Sequence, residues 1–208
     1  MQVDFFGANC IRLKTKLTTI VFDDNLARLG AKSVTTSDDI AASTNEAILG
    51  LPSKYSISFS LPGNYEVGDV MLTGIAARSH IEEDENKMLA TIFRGVAEDI
   101  KFAVIGHIHP DLSDEQLEDI GIIDLLFIPV GGSGYTLDVI AASKIVKQLE
   151  PKVVIPTHYA DKSLNFDMPQ AACDEFVKVM GVEAQKIGRS LKLKRPDRSD
   201  KTQIYILD

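Results

Sequence analysis

The sequence contains few cysteines, no tryptophan and no long hydrophobic run. Its two cysteines, Cys10 and Cys173, lie far apart among 208 residues, so there is neither a CxxC motif nor a disulfide framework. No apolar stretch approaches the roughly 20 residues that a membrane-spanning helix needs. The first residues, MQVDFFGANC, lack the character of a signal peptide. We therefore expect a cytoplasmic protein with no membrane partner.

Positive charge is also in short supply. The 22 lysines and arginines are outnumbered by 30 aspartates and glutamates, which gives a formal net charge of −8. A nucleic-acid-binding protein is expected to carry a basic patch. The one basic cluster lies at 192–198, where a solvated loop is the simpler interpretation. The composition therefore argues against a nucleic-acid partner.

The pattern of apolar residues changes halfway along the chain. In the first half, short alternating segments such as 2–6, 10–14 and 18–22 predict a meander of strands. In the second half, continuous apolar runs predict strands buried on both faces. The apolar spacing over 138–150 predicts a helix between two of them. Since there is no linker or repeat, we expect one α/β domain over 1–208, with mixed sheets and helices outside them.

Residues able to do chemistry gather where predicted strands end. The stretches GIAARSH, VIGHIH, VVIPTH and TTIVFDD carry them: His80, His107, His109, His158, Asp23 and Asp24. Functional groups collect at such ends in layered α/β proteins, and three or four nitrogen, sulfur or oxygen ligands make a zinc site. These side chains therefore predict a candidate metal site. An HxH pair is a weak signal, however. A hydrogen bond to the backbone is the simpler interpretation of His107, and His109, which precedes a proline, is expected to face solvent. Asp23 and Asp24 fit hydrogen bonds to turn amides as well as they fit a metal.

Several longer stretches resemble one family. They are the opening FFGANCIRLKTKLTTIVFDD, the segment LPGNYEVGDVMLTGI and the block over 111–159, which includes LLFIPVGGSGYTLD and VVIPTHY. Together they resemble the metallo-β-lactamase-fold hydrolases, and within them a small bacterial group of zinc-dependent hydrolases. The resemblance implies a four-layer αββα sandwich, in which two mixed β-sheets are flanked by helices and the metal site lies at one edge.

Two stretches depart from the family's metal-binding pattern. The HxHxDH signature is expected after the strand at 38–43, where this chain reads TNEAILG. Other residues take the places of its ligands: Asn45, Ala47, Leu49 and Gly50. Relatives carry HLGDLG where this chain has VIGHIH, so Val104 replaces a histidine and His107 replaces an aspartate that can bridge two ions. Since each imidazole nitrogen points along one direction, the resemblance implies a degenerate HxHxDH motif and argues against a dinuclear zinc site.

Three interpretations of the site remain open. In the first, His80, His107 and His158, with Asp23 or else Asp24 as a further ligand, hold one divalent ion, most simply zinc. A metal-bound hydroxide then hydrolyses an ester, amide or phosphoester. In the second, the fold persists as a non-catalytic binding or structural module without a cofactor. In the third, the protein is a metal-free enzyme with unidentified catalytic residues. The resemblance also implies a homo-oligomer, with an unknown small molecule as partner if the site is active.

Overall fold

The computed structural model describes residues 1–46, 57–84, 86–194 and 201–208, and within them the chain is built mainly from β-strands. The strands of these residues are β1 (Gln2–Gly7), β2 (Cys10–Lys14), β3 (Thr19–Phe22), β4 (Ile40–Ala42), β5 (Ser58–Phe59), β6 (Gly63–Val67), β7 (Val70–Ala77), β8 (Ala90–Ala97), β9 (Ile100–Val104), β10 (Leu125–Pro129), β11 (Val153–Thr157), β12 (Ala184–Ile187), β13 (Ser190–Lys192) and β14 (Gln203–Leu207).

These strands form two sheets. The six-stranded sheet has the order β13-β1-β2-β3-β4-β5, and the eight-stranded sheet has the order β12-β14-β11-β10-β9-β8-β7-β6. Both sheets are mixed, as predicted. In the first, β3, β4 and β5 are parallel while β13, β1, β2 and β3 alternate in direction. In the second, the strands from β12 to β9 are parallel, and those from β9 to β6 are antiparallel.

Three α-helices lie within the described residues: α1 (Asp114–Ile120), α2 (Val139–Leu149) and α3 (Cys173–Met180). α1 begins with a capping box, in which Ser113 and Gln116 each satisfy the other's backbone N–H. α2 begins after Asp138, whose carboxylate accepts two backbone N–H groups of the first turn, and it ends before Pro151. The helix predicted over 138–150 is thus confirmed. None of the helices described is both long and apolar enough to cross a membrane.

The hydrophobic core lies in layers. One cluster fills the space between the sheets, with Phe22 of the first sheet packed against Phe93 and Phe102 of the second. A second cluster covers the outer face of the eight-stranded sheet and includes the buried faces of all three α-helices. A third, smaller cluster lies on the other side of the six-stranded sheet, beneath a 3-10 helix at Leu26–Leu29 and a loop that carries Leu164. The predicted α/β sandwich of two mixed sheets is confirmed.

Candidate functional site

The ends of five parallel strands bring the candidate residues to one edge of the sandwich. β3 and β4 run parallel in the six-stranded sheet, and β9, β10 and β11 run parallel in the eight-stranded sheet. Parallel neighbours need long crossover connections, so each of these strands ends in a loop instead of a tight hairpin. Asn25, His107 and His158, which follow β3, β9 and β11, line one shared pocket.

His107 is almost completely buried, with 3% of its surface exposed. Its Nδ1 atom lies 2.9 Å from the carbonyl oxygen of Tyr135. Because a carbonyl oxygen only accepts, Nδ1 carries the proton in this contact, and Nε2 of the neutral ring is an acceptor. Nε2 is buried without a hydrogen-bond partner among the residues that the structure describes. Burial, with a smaller effect from His158, lowers the pKa of His107 to about 3, so its ring is neutral at pH 7.

His158 follows β11 directly and has a left-handed backbone conformation, with φ at 50°. Its N–H donates to the carbonyl of Ala8 at 2.7 Å, which ties the end of β11 to the β1–β2 turn. Nδ1 of the ring donates to Oε1 of Gln170 at 3.1 Å. The ring lies edge-to-face against His107 with 5.0 Å between centroids, and 5.1 Å from the ring of Phe166. Burial lowers the pKa of His158, so a charge is disfavoured on both neighbouring rings.

Asp23 is fully buried at the end of β3, and its carboxylate binds the loop after β4. Oδ1 accepts the backbone N–H of Thr44 at 2.7 Å, and Oδ2 accepts the Thr44 hydroxyl at 2.6 Å. Burial raises the pKa of Asp23 to about 7, against the lowering effect of these hydrogen bonds. Asp24 has a different role, because its Oδ2 accepts the backbone N–H groups of Val34 and Thr35 at 2.8 Å. Both aspartates thus form hydrogen bonds to loop residues.

The residues after β4 tie the two sheets together. The carbonyl of Thr44 accepts the N–H of Thr91, which belongs to the eight-stranded sheet, at 2.8 Å. Thr44 also lies so close to Gly106 that a Cβ atom there would be 1.7 Å from its hydroxyl oxygen. Asn45 donates from Nδ2 to the hydroxyl of Ser79 at 2.9 Å. At the expected signature, Thr44 and Asn45 therefore form structural contacts, while Ala47, Leu49 and Gly50 lie outside the described residues.

The remaining histidines lie near this edge without lining the pocket. Nδ1 of His80 is 3.1 Å from the carbonyl oxygen of Ile108, and its backbone N–H donates to the carbonyl of His107. His109 lines a different pocket, and its Nδ1 lies 3.8 Å from the carboxylate of Asp111. The two histidines of the VIGHIH stretch therefore line different pockets: His107 is buried, and His109 is half-buried.

The shared pocket has a volume of about 150 Å³ and contains polar and aromatic groups from four loops. We call it the two-histidine pocket and define it by its lining: Asn25, Arg28, Leu29, His107, Tyr135, His158, Phe166, Asp167, Met168 and Gln170. Only His107 and His158 were expected from the sequence. The place of Asn25 could have been predicted from the sequence, since it follows Asp23 and Asp24 at the end of β3. The place of Gln170 could not, because it lies in an irregular stretch before α3.

A comparison with protein families identifies the family of this chain. The sequence matches the family model described as a beta-lactamase superfamily domain over residues 2–158. The chain belongs to the beta-lactamase superfamily. The matched stretch includes all five strands whose ends lie at this edge of the sandwich, and its last residue is His158.

Solved structures extend the likeness to the beta-lactamase superfamily over the whole fold. A Thermotoga maritima protein, named as a candidate Zn-dependent hydrolase of the metallo-beta-lactamase superfamily, is 25% identical, with each chain covered completely and a TM-score of 0.76. Igni18, a metallo hydrolase from Ignicoccus hospitalis, is 17% identical, with 93% of this chain and 99% of Igni18 covered and a TM-score of 0.63. The metallo-beta-lactamase fold protein YhfI from Bacillus subtilis is 10% identical, with 99% and 95% covered and a TM-score of 0.59. The last two support the fold alone.

The side chains of this protein that could bind a metal are not arranged as a zinc site in the part of the chain that the structure describes. Across residues 1–46, 57–84, 86–194 and 201–208, no three histidine, cysteine, aspartate or glutamate side chains are positioned to hold one metal ion, whereas zinc takes three or four such ligands. Asp23 directs both oxygens at Thr44, and His80 does not line the pocket. The side chains that the structure describes therefore do not fit a zinc ion. The ligand set His80, His107, His158 and Asp23 stays a prediction.

Proposed function

We propose that this protein binds a small organic molecule in the two-histidine pocket without a metal, and that it is not a dinuclear zinc hydrolase. The observation that carries the proposal is the buried Nε2 atom of His107, which has no partner in the described part of the chain although the residue lines a pocket. Leaving a buried acceptor unpaired costs about 1–3 kcal/mol, and a ligand that donates to it removes that cost.

The second candidate function is a mononuclear metal-dependent hydrolase of an ester, amide or phosphoester. One observation favours it: Nδ1 of each of His80, His107 and His158 faces an oxygen atom. Metal-binding histidines are commonly held in this way, with the other ring nitrogen left for the ion. The binding-protein proposal is preferred because the pocket contains only two of these rings.

The metal content of the protein distinguishes the two candidates. For the binding-protein proposal, protein purified without chelator should carry far less than one equivalent of zinc, and its melting temperature should be unchanged by EDTA or by equimolar zinc. Near one equivalent of zinc, lost in His158→Ala and retained in the control His109→Ala, would overturn the proposal in favour of the mononuclear hydrolase. His109 is a suitable control because it lines a different pocket.

Ligand binding is tested by blocking the pocket mouth. A set of small organic fragments is screened by NMR with EDTA present, in wild type and in Met168→Trp, which fills the mouth from a half-exposed position. Fragments that bind the pocket should bind wild type and lose affinity in Met168→Trp. The control Met71→Trp changes a similarly exposed methionine of β7, and it should leave binding unchanged. A screen in which no fragment is sensitive to Met168→Trp would contradict the proposal.

A further inference from the structure

We infer that the ligand of the two-histidine pocket is an uncharged molecule that donates two hydrogen bonds, such as a diol, and that Asn25 is the second residue that receives one. The inference rests on the proposed function and names the chemical class of the ligand. Its starting point is that Asn25, which lines the same pocket, also has a buried acceptor: its Oδ1 lacks a hydrogen-bond partner within the residues described, as Nε2 of His107 does.

Both unpaired atoms have the same polarity. Nε2 of His107 is an acceptor because Nδ1 of the same ring faces the carbonyl oxygen of Tyr135. Oδ1 of Asn25 is an amide oxygen and only accepts. Nδ1 of His158 is likewise committed to Gln170, which leaves the acceptor nitrogen of a second neutral ring nearby. The unpaired polar atoms of these residues are therefore hydrogen-bond acceptors, and they favour a ligand that donates hydrogen bonds.

An anionic ligand does not match this wall. A carboxylate or phosphate would place its own lone pairs against Nε2 of His107 and Oδ1 of Asn25, which have no proton to give. The pocket lining includes one guanidinium, Arg28, and one carboxylate, Asp167, so its formal charges balance and give no net attraction for an anion. Hydroxyl and amino groups, which carry protons, complement these acceptors instead.

The size and the other walls of the pocket limit the carbon skeleton. A volume of about 150 Å³ is comparable to that of a cavity that holds a benzene ring. The apolar part of the lining comes from Leu29, Phe166 and Met168. A ligand with a six-membered or similarly small skeleton and two donors on one side therefore fits both the apolar and the polar walls.

The test uses three probes of one shape. They are cis-1,2-cyclohexanediol, its dimethyl ether, which has no donor, and cyclohexanecarboxylate, which is an anion. Each is titrated into the protein with EDTA present, and binding is followed by the side-chain ¹⁵N resonances of the histidines. The diol should bind and shift Nε2 of His107, the ether should bind at least about tenfold more weakly, and the carboxylate should not bind.

A variant that removes one acceptor tests the role of Asn25. Asn25→Leu keeps a similar volume and should weaken diol binding about tenfold, the usual effect of losing one buried hydrogen bond. The control Asn64→Leu changes an exposed asparagine of β6 and should leave the affinity unchanged. Unchanged diol binding in Asn25→Leu would overturn the assignment of Asn25.

The outcomes separate this inference from the proposed function. Carboxylate or ether binding as tight as that of the diol, lost in Met168→Trp, would overturn the donor class and leave the pocket as a binding site. Absence of binding by all three probes would also overturn the donor class, while the fragment screen still decides whether the pocket binds molecules. Binding of one zinc ion that displaces the diol would overturn both, because the metal would then be the partner of Nε2.

Discussion

His158 holds a backbone conformation that is costly for any residue with a Cβ atom. Its φ of 50° lies in the left-handed region, which costs an ordinary residue roughly 1–2 kcal/mol. The hydrogen bond from its N–H to the carbonyl of Ala8 keeps it there. Strained residues of this kind collect at functional sites, and His158 directs its ring at the two-histidine pocket.

Two substitutions at His158 separate backbone strain from the loss of the ring. His158→Ala and His158→Gly both remove the imidazole, but only glycine relieves the left-handed conformation. We expect His158→Gly to have the higher free energy of unfolding, by about 1 kcal/mol. Urea denaturation in the presence of EDTA measures the difference. Equal stabilities would show that the conformation costs nothing here.

Asp23 and His107 impose opposite pH dependences on stability. The pKa of Asp23 rises from 3.8 to about 7 on folding, so its contribution is fully present below pH 3.8 and is lost as the pH rises through 7. The pKa of His107 falls from 6.5 to about 3, so its contribution is present above pH 6.5 and is lost as the pH falls towards 3. Between about pH 4 and 6.5 the two effects oppose each other, each by up to about 1.4 kcal/mol per pH unit.

Removing either group should reveal the pH dependence of stability that the other group causes. Relative to wild type, Asp23→Asn should lose stability more steeply on acidification from pH 6.5 to 4.5, because only the effect of His107 remains. Relative to wild type, His107→Leu should gain stability on acidification over the same pH range, because only the effect of Asp23 remains. Urea denaturation at several pH values, with the wild-type curve subtracted, gives both slopes. Two variants with the same slope would refute the assigned shifts.

The loop after β4 depends on one hydroxyl group. Thr44 donates from Oγ1 to Oδ2 of the buried Asp23, and a carboxylate oxygen left without that donor costs about 2 kcal/mol. We therefore expect Thr44→Val, which keeps the shape, to destabilise the protein by about that amount at pH 8. Thr44→Ser keeps the hydroxyl and should recover most of the loss. Chemical denaturation of both variants is the measurement, and equal losses would assign the role of Thr44 to packing instead.

The connection between β10 and α2 passes very close to the end of β11. A Cβ atom on Gly131 would lie 2.0 Å from the carbonyl oxygen of His158 and 2.3 Å from Oε1 of Gln170. Gly131→Ala should therefore destabilise the protein by about 3 kcal/mol and displace His158 from the pocket. Gly188→Ala is the control, because no described atom lies within 4 Å of its added Cβ. A change in the His158 ¹⁵N resonances in Gly131→Ala alone would confirm the contact.

The elements could be predicted where one local pattern decides them. β10 and β11 are continuous apolar runs buried at every position, and α2 follows from its apolar spacing and its cap at Asp138. The pairing of β13 with β1 could not be predicted, because Ser190–Lys192 has no distinctive alternation and its partner lies almost the whole chain away. That pairing depends on the closed sandwich and not on local sequence.

The candidate site was predictable only in part, for a related reason. His107 and His158 follow buried strands, so their position at the edge follows from the sheet. Asn25 and Gln170 reach the same pocket through irregular segments, whose paths are set by contacts such as that of Asn165 N–H with the Leu29 carbonyl, at 2.9 Å. Contacts between two loops leave no periodic pattern in the sequence.

At the scale of the whole molecule, the expected homo-oligomer stays a prediction. β6 is an outer strand of the eight-stranded sheet, and an outer strand presents unpaired backbone groups to a partner. Two exposed leucines precede strands at this side: Leu61, before β6, is 67% exposed, and Leu89, before β8, is 51% exposed. Since β8 is antiparallel to β9, its first residues lie beside the end of β9, which leads to the pocket. We propose that a second copy of this chain covers these leucines.

Light scattering on the eluting protein tests this assembly. Wild type at tens of micromolar should have the mass of two or more chains of 22.8 kDa each. The double variant Leu61→Glu, Leu89→Glu should give the monomer mass, because it buries two charges in the proposed contact. Ile122→Glu is the control, since Ile122 is 82% exposed and precedes β10 at the opposite end of the sheet. A wild-type mass of one chain, or dissociation by Ile122→Glu alone, would show that the leucines serve no contact between copies.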